Sequence, residues 1–532
     1  MIRYSDMSKQ HLLSIQACRK ARAIMSGCLF ISSIMQVFIE PSLLNISSVF
    51  TVLIISLITI NLVLRAHIIR VMPFPTLVLI GYNISYLSGA LIVESFFLQP
   101  LIFNLLAPEI TFTYAALFQI SLLISFFVFK NLNLLTISRK INTLIIKPMG
   151  LMQQPTDLQI WLIGLVGLIS LVWSTTHTST DDAIQYGDVG NKFLEGLRYL
   201  TYTPYFLEIL NTFSSKQHQQ SHLNRTTTRI LLSIYTLVLL LLGTVLNARG
   251  LIIMGIANLG IAIMLIVLIG QLEVSKKILR RLAIISLLIF AISPILSDFS
   301  TTIVVVRSQR GKISNMEMIE QTISVFQDKN ALENHRLTIS ALTNSGLYNE
   351  IYIPNPFLSR FIYTKFLDNT LSLKQNRSMR YALELWDVTL DKILALIPTP
   401  LIKTLNLNLD KNNLAYSFGD ILYYFENGAG LGGFKVGSII AHGIGLMGYL
   451  FFIVVIPLYI LLFIGLQSFT IIGHKINLSL LIIVQLMTVF SYGVADSLVN
   501  VIAAILRTVP QTAIIFALIY KTLQLITPIN KR

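Results

Sequence analysis

The sequence predicts an all-α fold: a polytopic helical integral membrane protein with about 12 transmembrane helices and one large external helical loop late in the chain. Three observations lead there. Of the 532 residues, 54% are hydrophobic and only 12% are charged, where an ordinary globular chain carries about 25% charged residues. Apolar runs of about 20 residues recur along the chain, the length at which a helix crosses a hydrocarbon core. Basic residues gather on alternate connections between those runs, as the positive-inside bias requires.

The spans are placed, in order, at about 23–39, 47–64, 74–93, 110–129, 157–175, 198–213, 230–246, 251–271, 282–297, 444–465, 477–494 and 501–520. The first follows Arg19, Lys20 and Arg22, as in a signal peptide. No small-residue cleavage site precedes Glu40-Pro41, so this run reads as a retained helix. The span 198–213 carries Pro204 and Glu208, and the semi-apolar stretch 94–109, with Pro100 and Pro108, fits a re-entrant segment. Three parts result: an N-terminal transmembrane bundle of about nine helices (1–297), a large loop domain (298–442), and C-terminal transmembrane helices (443–532).

Charge orients this arrangement. Arg65, Arg70, Lys130, Arg139, Lys140, Lys276, Lys277, Arg280 and Arg281 fall on the same side as both termini, whereas the short opposite connections hold Lys192, Arg198 and Arg249. Both termini are therefore expected in the cytoplasm, with 298–442 outside. The formal net charge of +15 is explained by this topology, and no nucleic-acid partner is implied. Two cysteines, Cys18 and Cys28, cannot build a disulfide framework or a zinc spacing. Walker, HExxH and GxSxG motifs are missing from the sequence, which disfavours an energy-coupled pump and a metalloprotease. No metal or cofactor is expected.

The loop 298–442 has internal order. Ser314-x-x-Glu317 is a capping box that opens a helix. A second helix is predicted over 376–397, stopped by Pro398, with an apolar stripe of Met379, Leu383, Trp386, Leu390 and Leu394.

Candidate chemistry lies at the outer boundary. Arg249, in the turn Asn247-Ala248-Arg249-Gly250, offers a rigid fork of donors suited to phosphate oxygens. Arg507 lies inside the last span, with Asp496 and Asn500 on the same predicted helical face. Two readings of that face stand: a polar wall of an outward-opening cavity, or a structural Asp–Arg tie. Arg307, Arg310 and Arg360 in the loop could attract an anionic headgroup. The return to the membrane runs from Gly419-Asp420 through Glu426 and the glycine-rich stretch to His442. Gly433, Gly437, Ala441 and Gly445 form a small-residue face for close helix contact. His442, at the outer mouth of the next span, is a candidate general base, and Asp420 and Glu426 are the alternatives.

Many spans, the Asn-Ala-Arg-Gly turn, one large external loop late in the chain and a glycine-rich return preceded by Gly-Asp together resemble the Wzy-type O-antigen and exopolysaccharide repeat-unit polymerases. The related O-antigen ligases share the layout. The resemblance covers about 157–520, and it implies a metal-independent glycosyltransferase of the GT-C type in the bacterial inner membrane, with the loop in the periplasm. Its donor would be a polyprenyl-pyrophosphate-linked oligosaccharide, its acceptor a second lipid-linked repeat unit. The arginines would hold the pyrophosphate, Arg249 matching the family's short turn, and His442 resembles in position the base proposed for the ligases. Membrane lipid, a chain-length regulator protein and a glycan flippase are the implied partners. The competing functions are an O-antigen ligase-type transferase and a lipid-linked glycan transporter or flippase. A transporter should show repeat symmetry and broken helices at the bilayer midplane.

Overall fold

The architecture is that of a computed structural model describing residues 2–176, 196–207, 209–210, 225–245, 250–273, 280, 294–295, 298–299, 301–302, 305–306, 315–334, 350, 352–353, 355, 358–373, 379–407, 409, 411, 414, 416–428, 430–432, 435–473 and 475–527. Helices dominate it, and the strands among the described residues are one short antiparallel pair, Thr470–Ile472 with Ile476–Leu478. Among the described residues, seven helices are long and apolar enough to cross a membrane: Lys9–Ile39, Leu43–Val63, Pro73–Phe96, Pro108–Asn131, Thr226–Gly243, Ile439–Gln467 and Leu498–Ile526. Two shorter apolar helices, Asp157–Trp173 and Met254–Ile269, accompany them. The protein is thus an all-α membrane protein.

The helix Pro73–Phe96 is central, and every residue from Pro73 to Asn83 is buried. It relaxes into a π turn over Ile84–Ser88. A π turn leaves carbonyls without their usual intrahelical partners, and here the late segment of the chain supplies them. The Tyr363 N–H donates to the Ser85 carbonyl at 2.8 Å, and the Thr364 hydroxyl donates to the Tyr86 carbonyl at 3.0 Å.

The same late segment binds the stretch 97–107. Here the expected re-entrant segment is a set of turns, with Leu98 and Asn104 at positive φ. Such backbone needs partners from outside itself. Gln36 Oε1 accepts from the Leu101 N–H at 2.7 Å, and the Tyr352 hydroxyl donates to the Leu101 carbonyl at 2.7 Å. Asp368, fully buried, accepts from the N–H groups of Leu106 and Ala107 at 2.8 Å each and from Thr111 Oγ1 at 3.3 Å. These donors lie at the N-terminus of helix Pro108–Asn131, where the helix dipole favours a carboxylate. Lys365 Nζ pairs with Asp368 at 3.0 Å and donates to the Asn104 carbonyl.

Two expected spans take another form. The stretch 198–213 holds a 3₁₀ run, Arg198–Phe206, because Pro204 removes an amide donor from its interior. Tyr235 secures it, its hydroxyl donating to the Thr201 carbonyl at 2.7 Å. The stretch 477–494 breaks into short helices, Leu480–Ile483 and Leu486–Ser491, after the strand pair. Broken backbone survives in the interior only where its groups are satisfied. Asn258 Oδ1 does this at the break, accepting from the Met487 N–H at 2.6 Å. The expected span 282–297 lies outside the described residues, apart from Pro294 and Ile295.

Both expected helices of the loop 298–442 are present. One runs Asn315–Gln327 and the other Met379–Leu394. The face of the second differs from expectation. Leu383, Leu390 and Leu394 are exposed at 58%, 49% and 37%, while Leu385 and Thr389 are fully buried. Trp386 Nε1 donates to the Leu446 carbonyl at 3.2 Å, which lays this helix against the start of helix Ile439–Gln467.

Candidate functional site

The site is built around a histidine clamp. Ser438 caps the helix Ile439–Met447, its Oγ accepting from the Ile440 N–H at 3.2 Å. The Ile439 N–H donates to the Ala495 carbonyl at 2.9 Å, so 495–498 runs alongside. His442 is fully buried between them. Its Nδ1 accepts from the Leu498 N–H at 3.1 Å, which assigns the ring proton to Nε2. Nε2 then donates to Thr389 Oγ1 at 2.9 Å, and the Thr389 hydroxyl donates to the Leu385 carbonyl at 2.6 Å. The Phe418 ring lies 4.2 Å from the imidazole, centroid to centroid.

An imidazole open at the outer mouth of the span is therefore not what the fold contains. Both nitrogens are engaged, and the ring ties helix Met379–Leu394 to the start of helix Leu498–Ala503. Replacing His442 with alanine orphans the buried Leu498 N–H, a loss of roughly 1–3 kcal/mol. The expected result is a lower melting temperature in detergent. An unchanged melting temperature with lost activity would return His442 to a chemical role.

The clamp brings two charged groups into one neighbourhood, each acting on the other's charge. Lys392 lies one turn beyond Thr389, and Asp496 lies two residues before Leu498. Both are half-buried. Lys392 Nζ donates to the carbonyls of Leu414 and Tyr416 at 2.8 and 2.6 Å and stands 4.8 Å from the centre of the Phe418 ring. Burial pushes the Lys392 ammonium down to about 8, and the negative charge of Asp496 opposes that shift. Burial pushes the Asp496 carboxyl up, while Ser497, Lys392 and Asn500 pull it back. Asn500 Nδ2 donates to Asp496 Oδ1. Groups whose protonation is shifted by burial and by a specific charge partner are what an acid–base site requires.

Asp420 is fully buried, accepting from the Lys435 N–H at 3.1 Å and facing Lys435 Nζ at 3.6 Å. Ser417 caps the same turn, accepting from the Asp420 N–H at 3.0 Å and donating to the Lys435 carbonyl at 2.8 Å. This carboxylate closes the glycine-rich return on itself. Glu426 is half-buried in the last turn of helix Phe418–Asn427.

Arg507 is half-buried, its Nε donating to Gln511 Oε1 at 3.2 Å. Of the face expected to join Asp496, Asn500 and Arg507, the first two meet and Arg507 is turned away. Asp496 precedes the cap residue Ser497, and the π turn Ala504–Thr508 rotates Arg507 relative to Asn500. Arg249, Arg307 and Arg310 lie outside the described residues, as does the side chain of Arg360, whose backbone belongs to the 3₁₀ turn Leu358–Phe361. Of the small-residue face, Gly433 is also outside, and Gly437 lies against the Asp496 carbonyl before the helix begins.

Comparison with family models, curated proteins and solved structures finds no match. The site therefore rests on its own geometry. Sequence reasoning passed over Lys392, although a signal was there: it follows Leu385 and Thr389 at i+7 and i+3 as the charged member of the buried face. It also passed over Glu94, fully buried in helix Pro73–Phe96 with neither carboxyl oxygen hydrogen-bonded among the described residues.

Proposed function

We propose that the chain is an oligosaccharide repeat-unit polymerase of the bacterial inner membrane. In this reading it transfers glycan from a polyprenyl-pyrophosphate-linked donor to a lipid-linked repeat-unit acceptor at the periplasmic face. The observation that carries it is the Lys392–Asp496 pair, half-buried where a helix of the loop 298–442 meets the chain's return to the membrane. A lipid-linked substrate keeps its reacting sugar at the membrane surface, so its enzyme needs charged groups at that boundary and a polar segment above them. Guanidinium groups stabilise a pyrophosphate leaving group without a metal. Arg249, Arg307, Arg310, Arg360 and Arg507 are the proposed donors for it, and the termini are cytoplasmic in this arrangement.

The test uses the full-length protein reconstituted in liposomes. Its substrate is the lipid-linked oligosaccharide that accumulates when the gene is deleted from its own strain. The expected products are a ladder of longer lipid-linked chains and released polyprenyl pyrophosphate. Arg249→Ala should shorten the ladder at least about 10-fold in yield, the scale of one lost charge-assisted contact. A deletion strain with unchanged long-chain polymer would reject the reading.

A further inference from the structure

We infer that Asp496 is the base that takes the proton from the acceptor hydroxyl, with Lys392 as the neighbouring cation that favours its charged form and His442 as the clamp between their two elements. The inference rests on the transferase reading above.

Its geometric basis is the placement of three elements. Asp496 sits on the turn before helix Leu498–Ala503, held by the Ile439–Ala495 backbone bond on one side and by Asn500 on the other. Gly437 presses against its carbonyl, where an added Cβ would meet that oxygen at 2.6 Å, so the turn has no freedom to swing toward helix Ile439–Met447. Lys392 approaches from helix Met379–Leu394, which belongs to a different part of the chain. His442 spans both, through Leu498 and Thr389.

The groups around the carboxyl fall into a clear order. Lys392 of helix Met379–Leu394 and Tyr86 of the π turn Ile84–Ser88 interact with its charge from other elements, while Ser497 and Asn500 belong to its own. Lys392 is the one cation acting on Asp496 among the described residues. Two of its ammonium hydrogens are committed to the Leu414 and Tyr416 carbonyls, which fixes the charge in place. Of the other carboxylates near the return, Asp420 is fully buried and bonded to Lys435, and Glu426 lies in the last turn of helix Phe418–Asn427. Asp496 keeps partial exposure, so an acceptor hydroxyl can reach it.

The step balances with the groups named. The acceptor O–H proton passes to an Asp496 carboxylate oxygen as the hydroxyl oxygen bonds to the donor's anomeric carbon. The bond from that carbon to the pyrophosphate oxygen breaks, and its electron pair leaves with the polyprenyl pyrophosphate. Asp496 then returns the proton to water. Only ionised Asp496 can act, so the rate falls as pH drops through its ionisation. Lys392 favours the ionised form, and removing its charge moves that acidic limb to higher pH.

The experiment is the liposome assay with full-length variants, read as turnover, KM and pH profile. Asp496→Asn should lower kcat about 10²-fold or more, the scale of a lost general base, with KM little changed. Lys392→Met should shift the acidic limb of the profile upward, and Lys392→Arg should leave it in place. Wild-type-like turnover in Asp496→Asn, or an unmoved limb in Lys392→Met, overturns the inference. Should Asp496→Asn fail to accumulate, the Lys392→Met profile decides alone. Inactive wild-type protein would reject the polymerase reading and this inference with it. Active wild type with an equally active Asp496→Asn rejects the inference alone.

Discussion

Replacing Asp368 with alanine is expected to release the late segment 352–372 from the membrane helices. The substitution strands Lys365 as a buried charge, with a side chain only 2% exposed. It also orphans the N–H groups of Leu106 and Ala107 at the mouth of helix Pro108–Asn131. Breaking one partner of a buried ion pair costs about 3–5 kcal/mol. Thermal unfolding in detergent should show a marked fall in melting temperature, and limited proteolysis should cut first within 352–372. The double variant Lys365→Met/Asp368→Leu should recover part of the loss, because it removes both charges while leaving the two N–H groups unmet. Unchanged melting and proteolysis in Asp368→Ala would show that the pair does not anchor the segment.

Gly419→Ala is expected to damage the site more than the fold. A Cβ at this position would meet the Lys435 carbonyl oxygen at 2.1 Å and its carbon at 2.5 Å. Those are backbone atoms, so no rotamer change relieves the clash. The turn 417–420 must separate from Lys435, and the Ser417 and Asp420 bonds to it open together. Phe418, one residue away, also touches His442 and Lys392, so the displacement reaches the clamp. Overpacking of this kind costs about 1–3 kcal/mol, and polymer yield should fall about 10-fold or more if the pair's geometry governs the rate. Gly430→Ala is the matched control, since nothing lies within 4 Å of its added Cβ. Equal yields from the two variants would dismiss the steric account.

The apolar helices were the legible part of this chain. Spans predicted at 47–64, 74–93 and 110–129 fall on Leu43–Val63, Pro73–Phe96 and Pro108–Asn131, because a helix satisfies most of its own backbone and apolar length then marks it. The stretches 198–213 and 477–494 are also rich in apolar residues, yet their backbones depend on Tyr235 and Asn258 from distant positions. Hydropathy carries no record of such partners. The helix Met379–Leu394 was visible from its period and from Pro398, but not the face it buries. Thr389 is buried because His442 meets it, and that pairing spans 53 positions. The residues of the site could therefore be named from the sequence one at a time, as His442, Asp420 and Asp496 were. Their roles depend on who touches whom across three elements.

The π turn at Ile84–Ser88 has a consequence for how the protein is made. Its Tyr86 carbonyl is capped by Thr364, 278 positions later in the chain. At synthesis rates of about 5–20 residues per second, the central helix waits roughly 15–55 s for that partner to emerge. Over this interval the helix must keep open carbonyls in the membrane, shelter them in ordinary α-helical register, or borrow a temporary cap. The register of the central helix is then settled late, when the polar segment docks, so that insertion of the first helices and completion of the core are separate events in the life of one molecule.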